Sequence, residues 1–161
     1  MTTSQATTTV LALPYHDPAA EALRAAMEEE MRWRYTDRLT DPGHLPSGMA
    51  VQAGTVLYTG VAFDGELPVG HLILRRLGQE VELKRMYVTP SHRGTGVARA
   101  LLTAAEDAAR GLGAQRIILQ TGDRQPDAVR LYEREGYTRI PIFPPYESLQ
   151  YSTCFEKVIT P

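Results

Sequence analysis

Between residues 84 and 102 the chain reads KRMYVTPSHRGTGVARALL: a β-rich run ending at Thr89-Pro90, a loop carrying Gly94 and Gly96, then residues spaced for a helix. Glycines in such a loop let a ligand approach the main chain. The first N–H groups of the helix behind it lack intrahelical acceptors and carry about half a positive charge. The combination is a site for phosphate or pyrophosphate. No P-loop string occurs, and the three-glycine dinucleotide fingerprint is also missing. A bare Gly-x-Gly fits a tight strand-to-helix turn equally well.

A second chemical group lies just upstream. Strict alternation along 80–88 puts Glu82, Lys84, Met86 and Val88 on one face of a strand, with Leu83, Arg85 and Tyr87 on the other. A carboxylate within a sheet is costly unless it lines a polar cleft or is paired. Glu82 is therefore either a base or a structural partner of Lys84 or an arginine. His16, His44, His71 and His92 show no ligand spacing, and the single Cys154 excludes a disulfide framework or a multi-cysteine metal site, so no metal is expected. Cys154 itself reads as a small buried hydrophobe, because no motif supplies it with a base.

The surrounding pattern gives the elements that must hold these residues. Residues 9–13 read as a short strand. Asp17-Pro18 then opens a helix through about Tyr35, with Leu23, Met27 and Met31 on one face and Glu28, Glu29 and Glu30 on or near the solvent side. Residues 36–54 are a glycine- and proline-rich loop with room for a helical turn. Three β-rich runs follow, 55–63, 67–77 and 80–88, joined at Asp64-Gly65 and Gly78-Gln79 as an antiparallel meander. Val97, Leu101, Ala105, Ala108 and Leu112 share a helical face, closed by Gly111 and Gly113. A buried strand at 116–120, a helix from Pro126 to Glu135, and strands at 137–143 and 151–159 complete the order. No internal repeat or linker divides the chain, so 1–161 is expected to be one domain, with 1–8 flexible.

The string Arg93-Gly94-Thr95-Gly96-Val97-Ala98 resembles the Arg/Gln-x-x-Gly-x-Gly/Ala signature of the GNAT N-acetyltransferase superfamily. Residues 128–137, AVRLYEREGY, resemble that superfamily's second motif, and the order of elements agrees over nearly the whole chain. The resemblance implies an α/β fold with a mixed, mostly antiparallel central sheet of six or seven strands, flanking helices and a strand splay near Val88. Implied with it are acetyl-coenzyme A as cosubstrate and transfer of its acetyl group to a primary amine by direct attack. The ending, with Tyr146, Cys154, Phe155, Glu156 and Lys157, looks like a bacterial branch of small-molecule or uncharacterised acetyltransferases. A different class, a non-catalytic acyl-coenzyme A sensor of the same fold, stays open.

Carried onto this sequence, the resemblance makes Tyr132 the acid that gives a proton to the departing thiolate and Glu82 the base. Tyr132 packed beside Leu131 is the structural alternative. The main chain of Met86, Tyr87 and Val88 would bind the pantetheine arm, and the amides of Arg93, Gly94, Thr95, Gly96, Val97 and Ala98 the pyrophosphate. Gln125 stands where relatives often have a cofactor-binding Asn. Tyr35, His71, Tyr146 and Tyr151 border the acceptor cleft in this fold, with packing as the alternative for each.

Composition sets the outer limits. In 161 residues, 43% apolar and 22% charged, 17 Lys and Arg against 19 Asp and Glu give a net charge of −2. Disorder and a general nucleic-acid binder are both disfavoured. An anionic ligand must be held by local geometry. The start, MTTSQATTTV, has no secretory pattern, and no stretch reaches the ~18 apolar residues of a membrane span, so a cytoplasmic protein without membrane contact is expected. The partner is a small-molecule or peptide amine, and the last strands are candidates for pairing two copies into a homodimer.

Overall fold

The computed structural model describes residues 8–34, 50–122 and 125–159. In order they form β1 (Thr8–Ala12), α1 (Pro18–Arg34), β2 (Val56–Asp64), β3 (Leu67–Leu77), β4 (Glu80–Val88), α2 (Val97–Gly111), β5 (Arg116–Gly122), α3 (Pro126–Arg134), β6 (Thr138–Ile140) and β7 (Ser152–Val158). The strands make one sheet of order β1-β2-β3-β4-β5-β7-β6. Only the β4–β5 pair is parallel; the others are antiparallel. The expected α/β class and mostly antiparallel sheet are both found.

Local chemistry explains the boundaries. The Asp17 carboxylate accepts the N–H of Ala19 at 2.9 Å and caps α1, with Pro18 at the first helical position. Gly65 and Gly78, each at φ 61, turn β2 into β3 and β3 into β4. After α3, the Tyr137 N–H reaches back to the Tyr132 carbonyl at 2.9 Å while Gly136 takes φ 90, a left-handed helix stop. The strand expected over 137–143 is reduced to Thr138–Ile140, because Pro141 lacks the N–H that a ladder needs. A helical turn in the loop is found at Ala53–Thr55, whereas Tyr35 and His44 lie outside the described residues.

Two apolar layers hold the helices to the sheet. On one face α2 and α3 bury Val97, Leu101, Leu102, Ala105, Ala109 and Tyr132 against Leu72, Leu74, Leu83, Ile117, Leu119 and Phe155. On the other, Ala20 and Leu23 of α1 meet Val61 and Tyr87. The α2 stripe differs from the expected one at its end: Ala109 is buried, and Leu112 is half exposed. Leu112 is the C-cap, beyond the last helical residue Gly111, so it does not continue the helical face. No described helix is long and apolar enough to cross a membrane.

The alternation expected for 80–88 is overturned. Register between β3 and β4 slips by one residue between Ile73↔Lys84 and His71↔Tyr87, and Arg85 in the gap adopts φ 57. This is a β-bulge, and the extra residue inverts the sidedness of everything beyond it. Val81, Leu83, Met86 and Val88 consequently join the α2 and α3 layer, and Tyr87 joins the α1 layer. Glu82 therefore does not share a face with Met86 and Val88.

Candidate active site

The loop before α2 is exposed and presents main chain rather than side chains at the helix N-terminus. Gly94 and Gly96 sit at φ 77 and φ 90, where any other residue would be strained, and a Cβ at either would meet no atom within 4 Å. Gly96 occupies the N-cap without a side-chain bond, so the first N–H groups of α2 are left for another acceptor. The Arg93 side chain is committed elsewhere: Nε donates to the Val88 carbonyl at 2.9 Å, and a terminal nitrogen pairs with Glu30 at 2.7 Å. Behind the loop, Gly70 of β3 lets α2 sit close, since a Cβ there would come within 2.8 Å of Leu101 and 2.9 Å of Val97.

Beside the loop the sheet opens. The β4–β5 ladder has rungs at Val81↔Ile117, Glu82↔Ile118 and Leu83↔Leu119, and none beyond. From Lys84 to Val88, β4 continues without a β5 rung, which places the splay along the strand that ends at Val88. Tyr132, buried with Tyr137 and Phe155, shares its cluster with Met86 and Val88 along this opening. Burial pushes its phenol well above the usual range, so it carries its proton at neutral pH.

On the α1 side of the sheet four polar side chains converge. The Arg75 Nε donates to Glu82 Oε1 at 2.6 Å, and the Tyr146 hydroxyl donates to Glu82 Oε2 at 2.6 Å. Lys84 Nζ in turn donates to the Tyr146 oxygen at 2.6 Å, with Arg75 a further donor to it at 3.2 Å. Arg75, Glu82 and Tyr146 are buried, with Glu82 and Tyr146 at 0% exposure, and Lys84 alone keeps a partly exposed surface. Burial lowers the Lys84 ammonium to about 8; Glu82 opposes this, and Arg75 and Arg85 add to it. Burial and the Glu82 carboxylate both push the Tyr146 phenol up.

His71 serves the bulge. Its Nδ1 lies 2.9 Å from the carbonyl of Arg85, the bulged residue, and its Nε2 lies 2.9 Å from the Arg24 guanidinium. Burial lowers the imidazole to about 4, with Arg24 and Arg85 acting in the same direction against the Arg85 carbonyl bond. At neutral pH the ring is uncharged, so Nδ1–H donates to the carbonyl and Nε2 accepts from the arginine. Arg24 also donates to the Tyr15 carbonyl and stacks 3.9 Å over the Tyr15 ring.

Of the residues singled out from sequence, Glu82 and Tyr146 come together, and the loop residues and the end of β4 border one opening. His71 belongs to a separate cluster, with both ring nitrogens engaged. Tyr151 is 59% exposed at the start of β7. Gln125 ends its loop at the N-cap of α3, where its carbonyl, and not its side chain, accepts from Ala128 and Val129. Arg75 was missed, though a signal existed: counting back across the Gly78-Gln79 turn sets Arg75 opposite Glu82.

The family model for the GNAT acetyltransferases matches residues 20–137. Among curated relatives, an IAA acetyltransferase of Azospirillum brasilense is 34% identical over 110 residues, 68% of this chain and 65% of its own. The chain spans about half to two thirds of the length of the first curated relatives it matches. A solved Klebsiella pneumoniae protein described as an acyl-CoA N-acyltransferase superposes with a TM-score of 0.77 at 29% identity, covering 96% of this chain and 99% of that one. The PaiA N-acetyltransferase of Thermoplasma acidophilum, solved with coenzyme A, shares the fold at a TM-score of 0.68 and 17% identity over 94% and 99% of the two chains. The glycine loop, the interrupted β4–β5 ladder and these matches together place the chain in the GNAT acetyltransferase family.

Proposed function

We propose that the protein transfers an acetyl group from acetyl-coenzyme A to a primary amine, with both substrates bound at once. The observation that carries this reading is the opening of the β4–β5 ladder between a main-chain anion cradle and a buried proton-accepting cluster. The coenzyme A held by a protein of the same fold supports the donor assignment. Acetyl-coenzyme A supplies an activated acyl thioester. The amides of residues 93–98 hold its pyrophosphate, and the main chain of Met86, Tyr87 and Val88 orients the pantetheine arm as an added strand would be oriented. Gln125 stands at the edge of this donor site.

An alkyl amine with a pKa near ~10.4 is neutral in about one molecule in 2,500 at pH 7, so its deprotonation costs roughly 4.6 kcal/mol. The proton leaves toward Glu82. Because Arg75 and Tyr146 occupy both Glu82 oxygens, the carboxylate receives it through a bridging group. Tyr132 keeps its proton until the sulfur needs it, and gives it to the departing thiolate. Tyr146 is fully buried inside the cluster and so does not line the entrance, which leaves the exposed Tyr151 as the candidate among the described residues for contact with the incoming amine.

The test is release of coenzyme A against amino acids, polyamines, aminoglycosides and peptides. Tyr132→Phe is expected to bind the donor normally and to lose a factor on the order of 10²–10⁴ in turnover. Release from no amine despite tight donor binding would turn the reading toward an acyl-coenzyme A sensor. Unchanged turnover in the variant would remove Tyr132 from the mechanism.

A further inference from the structure

Glu82 cannot itself meet an acceptor amine, since it is fully buried with Arg75 on one oxygen and Tyr146 on the other. One member of the cluster reaches outward. Lys84 is the first β4 residue past the last β5 rung, and its Nζ, partly exposed, spends one of three donors on the Tyr146 oxygen. The hydrogen bonds run in one direction, from Lys84 to Tyr146 to Glu82, at 2.6 Å each. We propose that Lys84 is the base that takes the proton from the acceptor amine, with Tyr146 and Glu82 as the relay behind it. This rests on the acetyl-transfer reading above.

The proton count closes. A proton passes from the Lys84 ammonium to the Tyr146 oxygen as the Tyr146 proton passes to Glu82 Oε2, leaving a neutral amine, a phenol and a carboxylic acid. The acceptor ammonium gives its first proton to the lone pair of Lys84, which passes it to solvent; the freed nitrogen then forms its bond to the acyl carbon and gives its second, surplus proton to Lys84. The C–S bond breaks with its electrons on sulfur, which takes the Tyr132 proton. Solvent removes the extra proton through Lys84 and restores Tyr132.

The surroundings favour the neutral amine. Burial brings Lys84 to about 8, Glu82 of β4 opposes, and Arg75 of β3 and Arg85 of β4 add to the lowering. Cys154 of β7, on the Glu82 side, has its thiol pushed up by burial and adds no charge. A lysine lowered in this way is a usable base at neutral to mildly alkaline pH, whereas an arginine in its place stays protonated.

Two measurements test the assignment. The first is pulse labelling of the free protein with acetic anhydride between pH 6 and 10, read on the Lys84 peptide. The other lysine of the chain, Lys157, is ion-paired to Glu106 at 2.6 Å and serves as reference. Half-reactivity of Lys84 near pH 8, shifted in Tyr146→Phe, is expected; a midpoint at or above that of Lys157 overturns the proposal. The second is turnover. Lys84→Arg keeps the cation, and is expected to lose a factor on the order of 10²–10⁴ together with the acid limb near pH 8, while donor binding stays within about twofold. Activity retained in Lys84→Arg but lost in Lys84→Met would make the lysine a holder of an anionic group, and overturns the base role alone. A wild-type protein that releases coenzyme A with no amine overturns acetyl transfer and this step with it.

Discussion

The proposed donor loop after β4 and the proposed acceptor-face cluster on β3 and β4 are built from opposite materials. Residues 93–98 offer main-chain N–H groups on an exposed turn, and their glycines matter because side chains must be absent. The cluster offers side chains from β3, β4 and the Tyr146–Ser148 turn, buried and bonded to one another. A backbone site risks little stability, since nothing charged is taken out of water. A buried charged cluster risks much, because each member left without its partner keeps the full cost of desolvation.

The largest expected effect follows from that asymmetry. Glu82→Ala takes the Glu82 carboxylate from the buried Arg75 guanidinium and removes the acceptor of the Tyr146 hydroxyl, so urea unfolding should show a loss of about 3–5 kcal/mol. Gly96→Ala, in an exposed loop at φ 90, should cost only about 1–2 kcal/mol in the same experiment. Equal losses would break the comparison.

The His71 clamp gives the next effect, and it is visible in pH. The imidazole lies at about 4 in the folded chain against an ordinary 6.5, so the unfolded chain binds the proton first as pH falls. Stability from this group is complete above pH 6.5 and disappears as pH drops toward 4, a change on the order of 3 kcal/mol. Arg24 from α1 and Arg85 from the bulge are the charges facing the ring. His71→Asn can still donate to the Arg85 carbonyl, so it should flatten this part of the unfolding profile while keeping the bulge. A pH limb of unchanged size in the variant would show that the clamp does not carry it.

The same contrast explains what the sequence discloses. The donor loop is legible because its conformation is local: two glycines, a strand end and a helical repeat lie within twenty residues. The β2–β3–β4 meander is nearly as legible, since short turns fix its register, whereas the insertion of β7 between β5 and β6 has no such local signal. The bulge is not legible either. Arg85 carries no glycine or proline signal for φ 57, and the contacts that hold it come from His71 and, through it, from Arg24 on another element. Strict alternation therefore fails at that residue and misplaces Met86 and Val88 relative to Glu82. Tyr146 reaches Glu82 from 64 residues away, a closure that only the assembled fold determines.

Within the donor loop the comparison sharpens further. Gly96→Ala puts a methyl group on the strained N-cap, in the space facing the anion. It should weaken coenzyme A binding about tenfold by calorimetry, equivalent to about 1.4 kcal/mol, with turnover at saturation preserved. A fall in turnover without a change in affinity would mean that the loop positions the acyl group more than it holds the phosphates.

The smallest effect belongs to the one charged side chain in that loop. Arg93 looks suited to pyrophosphate, yet its guanidinium is already shared between the Val88 carbonyl and Glu30, and the residue pair sits at 40% and 24% side-chain exposure. Exposed pairs of this kind contribute about 0–1 kcal/mol, so Arg93→Ala should leave coenzyme A affinity within about fivefold and cost little stability. Its salt dependence discriminates as well. If main-chain amides hold the pyrophosphate, the slope of affinity against salt should match that of the wild type, because the cation removed was neutralised by Glu30 and not by the ligand. A tenfold loss with a shallower slope would mean that donor binding pulls Arg93 off Glu30, making the donor end, like the acceptor end, dependent on a side chain.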